Sequence, residues 1–364
     1  MYAMNAARQE TISVDQVVDR LLRRGLEPVA IADAVNAVFL CQRITADDVA
    51  ARERKIEAYR ARLAELPPGI AQRTPEWYEA RKGIVTASDF AQALGDAKFG
   101  TQRQFFIKKC GWSGDTDATA YNPSAPPLKW GVMFEPVACM LYEARQATKV
   151  REFGLLLHPT VPWFGASPDG INDQGVMVEI KCPFRRQITG QVPLQYYYQI
   201  QGQLDVCGLD ECDYLECEFV EYADVDAFLD APDGKETGLV VEARAPEGAA
   251  VPYEFVHYSG VCSTRGQRTA AVEAADVAAA GRDGIVLHAW RIETFNVVRV
   301  QRDPAFIDEK MRALGDVWDR VLRYRGDRDA YVAEVTGSAA KRKASAAVSL
   351  DAAPGVYAFL EDDG

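Results

Sequence analysis

The chain is short of the residues that structural zinc sites use. It has 3 histidines, and none of its 8 cysteines forms a C-x2-C pair. Structural zinc needs closely spaced Cys or His ligands, so no such site is expected. Long apolar runs are missing too. The best, over residues 34–41, falls far below the roughly 18–20 residues a membrane-spanning helix needs. The first nine residues show no basic stretch followed by an apolar core, so no secretory leader is expected. The cysteines then read as reduced thiols of an intracellular chain. Glycine and proline, 27 and 18 of 364 residues, stay near background, which excludes a collagen-like or low-complexity polymer.

Basic charge is scarce overall. The formal net charge is −12, which as an average argues against a nucleic-acid partner. The deficit is local, however. Residues 71–210 hold 14 Lys/Arg and 14 Asp/Glu, whereas residues 211–250 hold 2 against 12. Binding follows local charge, so a basic groove within 71–210 stays open.

Residues 1–70 read as a helical N-terminal extension. Thr45-Ala46-Asp47-Asp48 is a capping-box-like start, Ile56, Tyr59 and Leu63 recur at helical spacing, and Pro67-Pro68-Gly69 ends the run. Thr74 with Pro75 predicts a short helix over 75–81, and Thr86 to Asp89 a second start leading into 90–94. Residues 111–127 read as a loop and 130–146 as a helix. Three short strands follow over 152–157, 163–167 and 176–181, read as a meander. Helices are predicted over 194–206, 265–280 and 305–324, and strands over 214–220, 253–258 and 291–300. The acidic stretch 211–250 reads as an insertion, largely solvated loop. Residues 336–364 read as a disordered tail in which Lys341-Arg342-Lys343 is a solvated charge run. The order of elements gives an α/β or α+β core.

Chemistry concentrates at Asp169 and at Glu179-Ile180-Lys181. Ser167-Pro168-Asp169-Gly170 ends one predicted strand, and Glu179 and Lys181 lie two apart on the next, on one face. A hairpin-like turn would bring Asp169 beside Glu179. Two carboxylates and a lysine on one face suit a hard divalent cation, with the lysine free to orient water or steady phosphoryl charge. A Glu-x-Lys pair also occurs as a solvated surface pair, and Pro-Asp-Gly as a plain turn. The apolar Val176, Val178, Ile180 and Cys182 around them favour a buried strand, where charges need a partner or a metal.

These residues are part of an ordered series. Trp77-x3-Arg81-x4-Thr86-Ala87-Ser88 comes first, then Gly131-x3-Glu135-Pro136 and Ser167-Pro168-Asp169-Gly170. Glu179-Ile180-Lys181-Cys182-Pro183 and Tyr198-Gln199-Ile200-Gln201 complete it. The series resembles the PD-(D/E)XK nuclease superfamily, in its YqaJ-type viral recombinase branch that includes the phage lambda exonuclease, over residues 74–208. The resemblance implies a restriction-endonuclease-like core over 71–335, with a central mixed sheet flanked by helices. It implies Asp169 and Glu179 as metal ligands, the Ile180 carbonyl completing the shell, and Glu135 holding a metal directly or through water. Lys181 would position the attacking water and Gln199 contact the lysine or the water. Arg81, Ser88 and Ser167 match positions that hold a terminal 5′-phosphate, with Arg185 and Arg186 near a further family arginine. Read singly, Glu135 also suits a helix first turn and Ser88 a helix cap.

The activity implied is 5′ to 3′ degradation of one strand of linear duplex DNA, leaving 3′ overhangs for recombination. Two Mg²⁺ ions are implied, with Mn²⁺ able to substitute. The partners implied are double-stranded DNA, a single-strand annealing protein and, as in some relatives, further copies of the chain in a ring. An endonuclease or nickase on the same fold, and a non-catalytic DNA-binding scaffold, stand as alternatives.

Overall fold

In the computed structural model, which describes residues 13–39, 43–112, 124–249 and 251–334, caps and breakers place most of the helices. Ser13 and Thr45 close capping boxes over α1 (Val14–Arg23) and α3 (Ala46–Glu65), and a proline opens α2 (Pro28–Val38) between them. Thr74 caps α4 (Pro75–Lys82) as predicted. After β1 (Val85–Thr86) a 3-10 turn at Ala87–Asp89 leads into α5 (Phe90–Leu94), and Thr101 caps α6 (Gln102–Cys110). Helix α7 (Pro126–Gln146) starts earlier than predicted, because proline is tolerated in a first turn. Residues 113–123 of the predicted loop, the tail with its basic triplet and residues 1–12 lie outside the described residues.

The strands follow: β2 (Val150–Arg151), β3 (Leu156–Leu157), β4 (Phe164–Ala166), β5 (Gly170–Asn172) and β6 (Met177–Lys181). Then come α8 (Leu194–Cys207), β7 (Glu211–Glu221), α9 (Val225–Leu229), β8 (Thr237–Arg244) and β9 (Tyr253–Tyr258). Helix α10 (Arg265–Ala279), β10 (Val286–Gln301) and α11 (Pro304–Gly326) complete the described elements. A seven-stranded mixed sheet runs β2-β5-β6-β7-β10-β8-β9, with β6 and β7 parallel and the other pairs antiparallel. A small sheet, β1-β4-β3, stands apart from it. The α/β expectation holds.

Two local expectations are corrected. The predicted meander is split: β4 belongs to the small sheet and β6 to the large one, and the two-sheet crossover falls at Pro168-Asp169. The partner that turns back on β6 is the three-residue β5, registered Gly170 to Val178. The acidic stretch is no solvated loop. Its first 11 residues are β7, and Glu211, Asp213 and Glu216 are buried there. A run this acidic reads as surface until its cationic partners, far away in sequence, are known.

Alternation along β6 sorts the core. Val178 and Ile180 pack toward α7 with Met133, Val137 and Leu141, while Met177 faces the opposite layer of α8 and α11. Glu179 lies on the Met177 side. The N-terminal helices are tied into this body. Arg52 of α3 forks onto Asp19 of α1 (2.7 and 2.9 Å) and reaches Glu211 of β7 (2.6 Å). Arg299 of β10 bonds Asp213 (2.6 Å) and Glu211 (2.8 Å). The β5–β6 turn is gripped from the same side. Gln174 Nε2 donates to the Asp19 carbonyl (3.1 Å), and Arg60 Nε to that of Asp173 (3.0 Å). Gly175 sits at φ 78°, where a Cβ would collide with Tyr59 of α3.

Candidate active site

Glu179 is wholly buried and saturated with donors. Its Oε1 accepts from Lys181 Nζ and from Gln199 Nε2 (2.7 Å), and its Oε2 from Gln203 Nε2 (2.8 Å). Period two on β6 puts Glu179 and Lys181 on one face. One turn of α8 separates Gln199 from Gln203, so both amides meet the same carboxylate. Asp169 arrives from the β5 side, its Oδ2 accepting the Ile180 N–H at 2.7 Å. Glu135 reaches in from α7 and accepts from Arg73 Nη2 at 2.7 Å.

The electrostatics follow from this crowding. Burial, and then the charges of Glu179 and Glu135, push the Asp169 carboxyl well above its ordinary value. Desolvation also raises Glu135, against the pull of Arg73 and Lys181. Burial opposes the Lys181 charge, but Glu179 and Asp169 outweigh it and hold its pKa above normal. The aromatic ring of Tyr196 lies 5.1 Å from Lys181 Nζ. Three carboxyl groups thus share one region with Lys181 and Arg73, one acidic group more than the cations beside them.

Hard, crowded oxygen donors of this kind fit a divalent cation in their chemistry. Their present orientation is less complete. Among the described residues, no group of three His, Cys, Asp or Glu side chains is drawn into a ready metal cage. Each carboxylate instead spends oxygen atoms on protein donors, and Arg73 engages Glu135.

The residues expected at a phosphate also converge. The Arg81 guanidinium lies 4.0 Å over the Trp77 ring and donates to Ser88 Oγ at 3.1 Å. Trp77 Nε1 donates to Ser167 Oγ at 2.9 Å, so the indole joins α4 to the strand before Asp169. Lys109 is buried and fixes the base of this unit, donating to the Arg81 carbonyl (2.9 Å) and pairing with Asp89 (2.8 Å). Arg186 pairs with buried Glu216 of β7 at 2.5 Å, and Arg185 lies 5.1 Å over the Phe184 ring.

Two further contacts complete the group. Gln199 contacts Glu179 rather than the lysine. At Ile180 the N–H is engaged by Asp169. Sequence reading passed over Gln203, whose signal was its four-residue spacing from Gln199. It also passed over Arg73, which carries no motif, and Trp77 as a hydrogen-bonding bridge. The cysteines among the described residues are free thiols, and no described helix is long and apolar enough to cross a membrane.

Comparison with known proteins places these residues in context. Residues 76–210 match the family model of the YqaJ-like viral recombinase domain. An uncharacterized protein of Acanthamoeba polyphaga mimivirus is 27% identical over 202 residues, covering 50% of this chain and 36% of that protein. The chain thus spans about a third of that relative's length. Among solved structures, the alkaline exonuclease LHK-Exo of Laribacter hongkongensis superposes with a TM-score of 0.43 at 21% identity. The match covers 72% of this chain and 100% of that one. A phage-related exonuclease from Haemophilus somnus gives 0.35 at 10% identity, covering 69% and 96%. Asp169, Glu179, Lys181 and Gln199 all fall inside residues 76–210, the segment of this chain that matches the YqaJ-like viral recombinase domain.

Proposed function

We propose that the chain is a divalent-metal-dependent deoxyribonuclease, an exonuclease that degrades one strand of linear duplex DNA from the 5′ end and leaves a 3′ overhang for recombination. The observation that carries this reading is the meeting of Asp169 and Glu179 with Lys181 at the β5–β6 hairpin, with Glu135 brought in from α7. Asp169, Glu179 and Glu135 would hold Mg²⁺, two ions in the full reading, with Mn²⁺ as a substitute. A bound cation of this kind neutralises phosphate charge and acidifies water.

The protein groups divide the remaining work. Gln199 and Gln203 fix both oxygens of Glu179, so its orientation is set before substrate arrives. Lys181 keeps its proton and stands as a fixed positive charge to orient the attacking water and steady the phosphate. Arg81, stacked on Trp77 and bonded to Ser88, offers a planar fork for a terminal 5′-phosphate, with Ser167 held beside it. Arg185 and Arg186 add positive charge after β6. A single-strand annealing protein would take up the overhang, and a ring of copies would give processivity.

The test is digestion of end-labelled linear duplex in Mg²⁺, with 5′-phosphate or 5′-hydroxyl ends, beside a covalently closed circle. Faster loss of the 5′-phosphate substrate, an intact circle and no cleavage in excess EDTA are expected. A nicked or linearised circle would make the enzyme an endonuclease. Full activity in chelator would remove the metal mechanism.

A further inference from the structure

Arg73 stands at φ 64°, in the left-handed region. A non-glycine residue pays about 1–2 kcal/mol to be there, and persists only where its surroundings enforce it. Here the surroundings do so. Ile70 exchanges backbone hydrogen bonds with Leu155 at 2.7 and 3.2 Å. Gln72 Nε2 donates to the carbonyl of Pro168 at 3.0 Å, the residue before Asp169. Thr74 Oγ1 returns to the Ala71 carbonyl at 2.9 Å and caps α4. Held between these points, the Arg73 guanidinium has one ionic partner at hydrogen-bonding distance among the described residues, Glu135 at 2.7 Å. The Asp169 carboxylate acts on it from further away.

A guanidinium and a divalent cation compete for the same carboxylate oxygen and repel one another. Of the two cations near the acidic group, only one is built to leave. Lys181 is mostly buried and pinned to wholly buried Glu179. Arg73 has a 44% exposed side chain, and its partner Glu135 is 30% exposed, so moving it into water costs little. We propose that Arg73 is a built-in counter-ion of the cation-free site, one that holds Glu135 in readiness and gives it up when a divalent cation enters. The inference rests on the acidic group being a cation site. Arg73 thereby sets a threshold on cation affinity, and the strain at its backbone is the cost of placing it.

The readout is binding, not turnover. Full-length protein stripped of metal is titrated with Mn²⁺, and free Mn²⁺ is followed by electron paramagnetic resonance. Arg73→Gly keeps the left-handed backbone without strain, and Arg73→Gln keeps donors without the charge. Both are expected to bind Mn²⁺ roughly fivefold to tenfold tighter than wild type, from removal of one like charge at a partly screened site. Arg73→Lys should stay near wild type. Unchanged or weaker binding in both neutral variants overturns the proposal. Asp169→Asn separates this from failure of the site itself: if it binds Mn²⁺ as wild type does, the acidic group is no cation site. If it abolishes binding while the neutral Arg73 variants match wild type, only the counter-ion role falls.

Discussion

Glu179 shows how much of the site depends on single atoms. A buried carboxylate without partners is expensive, and here three side chains share the task of satisfying it. Gln203→Leu would strip the donor from Oε2. It would also remove the Gln203 Oε1, a buried acceptor that has no donor among the described residues. The two effects partly offset, so we expect a loss of about 1 kcal/mol, at the lower end of the cost of an unpaired buried group. Urea unfolding of the variant measures it, and a gain in stability would show that Glu179 does not need this bond. Lys181→Ala acts differently. It should lower single-turnover cleavage by about 10²–10³-fold, the usual range for one electrostatic group at the reacting phosphate. Duplex affinity should change little. Cleavage near the wild-type rate would take the chemistry away from Lys181.

At the level of elements, the sequence carried what is local and lost what is not. Thr45 and Thr74 are caps whose partners lie three residues away, so α3 and α4 were legible. The face shared by Glu179 and Lys181 follows from period two alone. Strand β8 escaped because its justification is the pairing with β9 and β10, not its own composition. The split between two sheets escaped for the same reason, since β4 and β6 read alike until their neighbours are known. Glu135 and Gln199 were found through family resemblance, whereas Arg73 depends on a backbone conformation imposed from Leu155 and Pro168. The acidic start of β7 is the clearest case. Arg52, Arg299 and Lys55 outweigh burial and bring the Glu211 carboxyl down to about 2 from an ordinary 4.5. A carboxyl depressed in the folded state stabilises above its unfolded pKa and loses that contribution as pH falls toward its folded one. Glu211 should therefore contribute about 3 kcal/mol above pH 5, with about 2 kcal/mol of it gone by pH 3. Urea midpoints across that range should fall less steeply in Glu211→Gln, and parallel slopes would contradict the assignment.

For the molecule as a whole, the question is whether helices α1–α3 are an appendage. The β5–β6 hairpin turns at residues 172–175, and that turn is held from outside by the Asp19 carbonyl, Arg60 and the flank of Tyr59. Tyr59 and Leu63 also belong to the apolar core that contains Met177, Ile200 and Leu204. The ion cluster of Asp19, Arg52, Glu211, Asp213 and Arg299 joins α1 and α3 to the two central strands β7 and β10. Cutting through buried charge pairs is costly, about 3–5 kcal/mol for each broken pair, because the partner left behind has nothing to face. Intact protein should then melt in one calorimetric transition that includes these helices. A chain starting at residue 67 should melt far lower or fail to fold. An independent module would give two transitions and an unchanged melting point for the shorter chain. Gly175→Ala tests the same link without deletion. The new methyl strains a left-handed backbone and meets Tyr59, so the hairpin must shift away from α3. Loss of divalent-cation affinity in that variant, with Asp169 and Glu179 intact, would place the N-terminal helices among the supports of the proposed cation site.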